Sequence, residues 1–99
     1  MKIHGKMLIS NFKGAFKDEF GVGIKVHRGM STGHFADDDA TVASNRSEGH
    51  SGDGMVDLHG NMKVGTAEKE IADSLGFKVQ ILDASDGNAD NAATLSSLR

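Results

Sequence analysis

The chain of 99 residues contains no cysteine, no proline, no tryptophan and no tyrosine. Without cysteine there are no disulfides, thiolate metal sites or cysteine nucleophiles, so a metal would have to bind His, Asp or Glu. No stretch approaches the roughly 18 apolar residues of a membrane span, and the segment Met1 to Phe12 lacks a secretory cleavage site. We therefore expect a soluble, cytoplasmic protein that does not contact a membrane.

Concentrated positive charge is also missing. The formal net charge is -3, and the lysines are spread singly along the chain. Binding to nucleic-acid phosphates requires a concentrated positive surface, so a nucleic-acid partner is not expected. A local patch of Lys2, Lys6, Lys13 and Lys17 is conceivable, but such lysines are more typical of a solvated surface.

The apolar content is modest, with 37% hydrophobic residues and 13 glycines. A chain of this length forms one domain and buries roughly 60 to 65% of its unfolded surface. Burial then exceeds the loss of chain entropy only narrowly, and further burial in a homodimer would help. We predict a single domain over residues 1–99 and consider a homodimer a reasonable expectation.

The sequence repeats itself. Ile3 to Val26 aligns with Leu58 to Ile81 at a constant offset of 55, and Ala36 to Ser44 aligns with Ala89 to Ser97 after a loop two residues shorter. Self-similarity of this kind indicates a tandem duplication. We predict repeat one at residues 1–44, a flexible, glycine-rich linker at 45–55, and repeat two at 56–99.

Each repeat contains one pattern typical of a helix. Phe12, Phe16 and Phe20 recur at a spacing of four, as do Ala67, Ile71 and Leu75. This spacing predicts helices over Asn11 to Phe20 and Thr66 to Leu75, the first capped by Ser10. Gly21 and Gly76 follow the last apolar residues, where a left-handed C-terminal residue is expected.

Strands are predicted on both sides of each helix. Met7 and Ile9, and likewise Met62 and Val64, alternate as a short half-buried strand before the helix. The segments "VGIKV" and "FKVQIL" follow the helices and are rich in β-branched residues. We predict an α+β fold of two β-α-β-α units with pseudo-two-fold symmetry. The longer strands would pair in one small sheet, the helices would pack on it, and Met1 to His4 and Val56 to His59 would extend each unit.

Three consecutive aspartates, Asp37 to Asp39, stand out in the first repeat. The second repeat has Asp90, Asn91 and Ala92 at the matching positions, so only the first carboxylate recurs. A divalent cation would need six or more converging oxygens, which neighbouring residues on a helix start do not supply. We therefore interpret the aspartates as the N-cap and first turn of a two-turn helix, with a cation site as the alternative.

The histidines His4 and His59 occupy equivalent positions in the two repeats. If these positions lie near a pseudo-two-fold axis, the two imidazoles could share a zinc or nickel ion with Asp57. The alternative is that both histidines lie at an edge or on the surface. The set of His4, His59 and Asp57 is the metal-site hypothesis from the sequence.

Other motifs give no catalytic or cofactor site. The segment Asp83 to Asn91 fails the calcium-loop pattern and is typical of a turn, and "GVG" at Gly21 to Gly23 ends a helix instead of opening one. No nucleophile elbow or phosphate-binding loop is present. We predict no cofactor, no catalytic residues and no enzymatic activity.

The order "GKMLIS", helix, "FGVGIKV", "FADDDATVAS", with a second copy of the same order, resembles small bacterial proteins of unknown function with a duplicated strand-helix-strand unit. Each half is also similar in part to AbrB-like swapped-hairpin regulators and double-psi barrels. That second resemblance implies DNA binding, although the family's proline at the helix start and its DNA-contacting arginines are absent here.

The sequence thus favours a small non-catalytic module that interacts with a protein partner not identifiable from the sequence. A metal- or small-ligand-binding protein and a swapped-hairpin DNA-binding regulator are the alternatives.

Overall fold

The computed structural model describes residues 1–30, 33–47 and 55–98. In chain order the elements are strand β1 (Lys2–Ile3), helix α1 (Ile9–Phe20), strand β2 (Ile24–Val26), a short 3₁₀ helix (Ala43–Asn45), strand β3 (Val56–Asp57), helix α2 (Val64–Leu75), strand β4 (Val79–Ile81) and a second 3₁₀ helix (Leu95–Leu98). The expected α+β class is confirmed.

The two helices begin two residues earlier than predicted. Ile9 and Val64 are their first residues, so the predicted strand at Met7 and Ile9 is wrong, and Ser10 is not an N-cap. In α1 the N–H of Ile9 donates to Ala40 O at 2.8 Å and that of Ser10 to Asp38 O at 3.1 Å. Backbone carbonyls from a distant segment thus satisfy the first N–H groups, and no side-chain cap is needed.

The predicted helix ends are confirmed. Gly21 and Gly76 have φ of 78° and 83°, and their N–H groups donate to Lys17 O and Ala72 O. A left-handed residue after a helix is least strained when it is glycine, because glycine has no Cβ.

The strands form two separate antiparallel pairs: β1 with β3, and β2 with β4. The longer strands do pair, as expected, but the four strands do not form a continuous sheet. Each strand pairs with a strand of the other half of the chain, and the two strands within one half do not pair with each other.

Each strand pair contains two residues 55 positions apart that face each other. Lys2 pairs with Asp57 between β1 and β3, and Lys25 pairs with Gln80 at the centre of β2 and β4. The hydrogen bonds at the helix starts also correspond, since Val64 N donates to Ala93 O at 2.8 Å just as Ile9 N donates to Ala40 O.

One core joins the two halves. The predicted stripes Phe12, Phe16, Phe20 and Ala67, Ile71, Leu75 are all buried in it. Phe12 of α1 meets Phe77, which precedes β4, edge to face with ring centroids 6.4 Å apart. Among the described residues no helix is long and apolar enough to cross a membrane.

The start of the predicted linker is bound to the domain. The side chain of Asn45 is buried and its Nδ2 donates to His27 O at 2.8 Å, while Ser47 N donates to Gly76 O at 2.7 Å. Residues 48–54 of the predicted linker lie outside the described residues.

Candidate ligand-binding cleft

A cleft of about 380 Å³ lies between helix α2 and strand β4. We call it the α2–β4 cleft; its walls are His27, Gly65, Glu68, Lys69, Ala72, Lys78, Val79, Gln80 and Asn91. A second chamber of about 340 Å³ shares Glu68, Gln80 and Asn91 with it and adds Asn88 and Ala89. Polar side chains from α2, from β4 and from the loop after β4 thus line one cleft with two chambers.

Glu68 is the acidic residue that lines both chambers. It lies in the second turn of α2, is half-buried, and its Oε2 accepts a hydrogen bond from Ile81 N at 2.9 Å. Burial raises the pKa of this carboxyl, and the hydrogen bond from Ile81 lowers it in part. Glu68 therefore holds its proton to a higher pH than an ordinary glutamic acid does.

His27 is the most unusual residue of the cleft wall. It follows β2, is only 3% exposed, and neither Nδ1 nor Nε2 has a hydrogen-bond partner among the described residues. Its ring stacks on that of Phe35 with centroids 5.3 Å apart. A buried polar group without a partner costs about 1 to 3 kcal/mol, so most such groups in proteins are satisfied.

The second half of the chain shows what the fold needs at this position. Leu82 is the counterpart of His27 at the offset of 55, and it is also buried, at 9% exposure. Both residues form an isolated antiparallel bridge with the loop after them, His27 with Phe35 and Leu82 with Asn88. Since leucine fills the equivalent place, the backbone does not require a histidine there.

The two halves also differ across the cleft. Lys13 is the counterpart of Glu68, and Asp38 is the counterpart of Asn91. In the first half Lys13 Nζ lies 3.0 Å from Asp38 Oδ1 and links α1 to the neighbouring loop. In the second half Glu68 turns to the strand instead, and Glu68 and Asn91 line the α2–β4 cleft without pairing with each other.

A groove of about 500 Å³ is lined by Arg28, Arg46 and neighbouring residues. Two of its polar side chains donate to backbone carbonyls, Arg46 Nη1 to Ala43 O at 2.9 Å and Asn45 Nδ2 to His27 O at 2.8 Å. Among the described residues, the side chains that line this groove include no buried polar atom without a partner, which distinguishes it from the α2–β4 cleft.

The predicted metal ligands are only partly together. His59 Nε2 lies 3.6 Å from Asp57 Oδ2, and both side chains are exposed. The antiparallel register pairs Lys2 with Asp57 and Ile3 with Val56, so the chain runs away from Asp57 and His59 as it approaches His4. No group of three or more metal-ligating side chains occurs among the described residues.

The aspartates accept backbone hydrogen bonds but do not cap a helix. Asp37 Oδ1 accepts from Asp39 N at 3.0 Å, and Asp90 Oδ1 accepts from Ala92 N at 2.9 Å. The predicted two-turn helix is wrong, because the segment forms a turn closed by Ala40 N to Asp37 O, and a 3₁₀ helix begins only at Ala43.

The turn predicted in the segment Asp83 to Asn91 is confirmed. Asp83 Oδ1 accepts hydrogen bonds from Ser85 N at 2.8 Å and Gly87 N at 3.1 Å. Both contacts are to backbone N–H groups within the loop, which is the usual role of aspartate in a turn.

No protein-family model matches the chain, and comparisons with curated proteins and with solved structures found no significant match. The α2–β4 cleft is therefore the feature of the molecule from which a function can be inferred.

Proposed function

We propose that this protein is a non-catalytic binding module that holds one small polar ligand in the α2–β4 cleft. The observation that carries the proposal is His27, a buried imidazole with no hydrogen-bond partner in the described ranges, at a position where the other half has Leu82. An unpaired buried imidazole lowers stability. Both of its nitrogens are closed to solvent in the unliganded protein, so a ligand would complete their hydrogen bonds after a local movement of the cleft wall.

The size and chemistry of the cleft support a small ligand. Its volume lies within the roughly 300 to 1,000 Å³ typical of small-molecule sites. The carboxamides of Gln80 and Asn91 each offer both donors and acceptors, and Val79 and Ala72 supply apolar wall. Binding is favoured over catalysis because the histidine, glutamate and lysines of the wall make no hydrogen bonds to one another among the described residues, so no nucleophile lies beside a base there.

The proposal includes an internal duplication whose halves have diverged in role. Matched hydrogen bonds at the two helix starts and the facing pairs of residues 55 positions apart support a pseudo-two-fold relation. In this view the Lys13–Asp38 ion pair closes the equivalent cleft in the first half. The second half has Glu68 and Asn91 in place of these two residues, and its cleft is open.

A second candidate is the protein-interaction module expected from the sequence. Phe35 is 63% exposed and Met30 is 43% exposed, and both lie in the loop that follows β2. A protein partner, including a second copy of this chain, could cover these side chains. Phe35→Ala would then weaken the association seen by sedimentation, while binding in the cleft would not require a partner at all.

The test of the ligand proposal is a screen of small polar compounds by ¹⁵N–¹H correlation spectra of the full chain. We expect binders to shift the amides of Glu68, Gln80 and Asn91, and we expect His27→Leu to abolish these shifts. Leucine is the natural control because the other half carries it at the equivalent position. Shifts that are unchanged in His27→Leu, or the lack of any binder, would overturn the proposal.

A further inference from the structure

The polar groups of the α2–β4 cleft are separated by charge. The smaller chamber, formed by Glu68, Gln80, Asn88, Ala89 and Asn91, contains one carboxylate and three carboxamides but no lysine. The larger chamber also contains Glu68, Gln80 and Asn91, and it adds Lys69, Lys78 and His27. Lysines therefore line only one of the two chambers. We call the chamber without lysine the acceptor end and the side lined by the lysines the positive end.

The acceptor end has an unused charge. Among the described residues, Oε2 of Glu68 accepts a hydrogen bond from Ile81 N, whereas Oε1 accepts none. A half-buried carboxylate is best compensated by a charged donor, since charge-assisted hydrogen bonds are about twice as strong as neutral ones. The carboxamide oxygens of Gln80 and Asn91 add acceptors, so the group that fits this end is an ammonium.

The positive end is formed chiefly by Lys78. Lys69 is already paired, because its Nζ lies 2.7 Å from Asp73 Oδ2. Lys78 is exposed and makes no ion pair within the part of the chain that the structure describes. The group that fits beside Lys78 is an anion small enough to share the cleft with an ammonium, and a carboxylate meets this condition.

We propose that the ligand is a small zwitterion of the amino-acid type, with its ammonium group at Glu68 and its carboxylate at Lys78. This inference rests on the proposed function and adds the chemical class of the ligand. The rest of the ligand lies between these ends along Val79 and Ala72.

The test uses matched probes on the full-length chain. Linear ω-amino acids from glycine to 6-aminohexanoate are titrated into ¹⁵N-labelled protein, each beside the monoamine and the monocarboxylate of the same carbon number. We expect at least one zwitterion to bind about tenfold more tightly than both of its analogues, because each analogue lacks one charge-assisted contact.

Two variants assign the ends. Glu68→Gln keeps a side-chain oxygen for Ile81 N but removes the charge, so the zwitterion should lose its advantage over the carboxylate analogue. In Lys78→Gln, the zwitterion should bind no more tightly than the matched amine. Lys6→Gln, at an exposed lysine that does not line the cleft, is the control and should bind as wild type does.

The outcomes distinguish the two proposals. If an amine or a carboxylate binds as tightly as the matched zwitterion, or if no ω-amino acid binds, the zwitterion is excluded. The proposed function still stands in that case if other polar compounds bind in a manner that depends on His27. If no compound gives such His27-dependent shifts, both proposals fail together.

Discussion

The imidazole of His27 lies nearly parallel to the ring of Phe35, with centroids 5.3 Å apart and an interplanar angle of 18°. Phe35 is largely exposed, yet its ring helps to close His27 off from solvent. An aromatic ring on the surface is thus positioned over a buried polar group. The arrangement keeps a buried imidazole beside the α2–β4 cleft that makes no hydrogen bond to any residue the structure describes.

His27→Leu should make the unliganded protein more stable. The change removes an unpaired buried polar group at a site where the fold accepts leucine, so we expect a gain of about 1 to 2 kcal/mol in the free energy of unfolding. Urea denaturation of both proteins measures the difference. The reciprocal variant Leu82→His is the matched control, and its free energy of unfolding should fall by about 1 to 3 kcal/mol. A loss of stability in His27→Leu would instead mean that the imidazole already has a partner.

The features of this fold that depend on residues close together in the sequence could be predicted. The phenylalanine stripe of α1 and the left-handed Gly21 and Gly76 follow from spacing and from steric rules. The helix starts could not be predicted, because Ile9 N is satisfied by Ala40 O, a group 31 residues away in the sequence. Strands of two or three residues carry too little alternation to specify which partner they pair with.

The cleft was missed for a similar reason. The repeat alignment does show His27 opposite Leu82 and Glu68 opposite Lys13, so a difference in polarity between the copies is visible in the sequence. That His27 joins the wall of a cleft beside α2, however, depends on the pairing of β2 with β4. Comparison of repeat copies for a buried polar residue opposite an apolar one is the signal that could have found it.

Ile71→Ala should destabilise the protein by about 2 to 4 kcal/mol, because Ile71 is fully buried in the middle of α2 and its loss leaves a cavity in the shared core. The expected result is a lower midpoint in urea denaturation. Thr66→Ala, at an exposed position of the same helix, should change stability by less than about 0.5 kcal/mol. Equal effects of the two substitutions would show that the buried face of α2 has been assigned incorrectly.

Zinc or nickel should not raise the melting temperature. Asp57 and His59 lie together on the surface, but the strand register holds His4 away from them, and two exposed ligands bind a metal ion weakly. Melting curves recorded with zinc, with nickel and with a chelator should superimpose. A rise in melting temperature that disappears in both His4→Ala and His59→Ala would instead establish the metal site proposed from the sequence.

The pKa of Glu68 predicts how stability depends on pH. Burial raises the pKa of this carboxyl in the folded protein above its ordinary value of 4.5, so the folded state binds the proton more tightly than the unfolded state does. The contribution of Glu68 to stability therefore rises as the pH falls through the raised pKa toward 4.5. At higher pH the charged, partly buried carboxylate destabilises the folded protein.

Glu68→Gln isolates this effect from the other carboxyl groups. The variant has no charge at any pH, so the difference in unfolding free energy between the variant and wild type should favour the variant at neutral pH and shrink on acidification. Urea denaturation across this pH range gives the difference directly. A difference that grows on acidification would show that the hydrogen bond from Ile81, and not burial, dominates the pKa of Glu68.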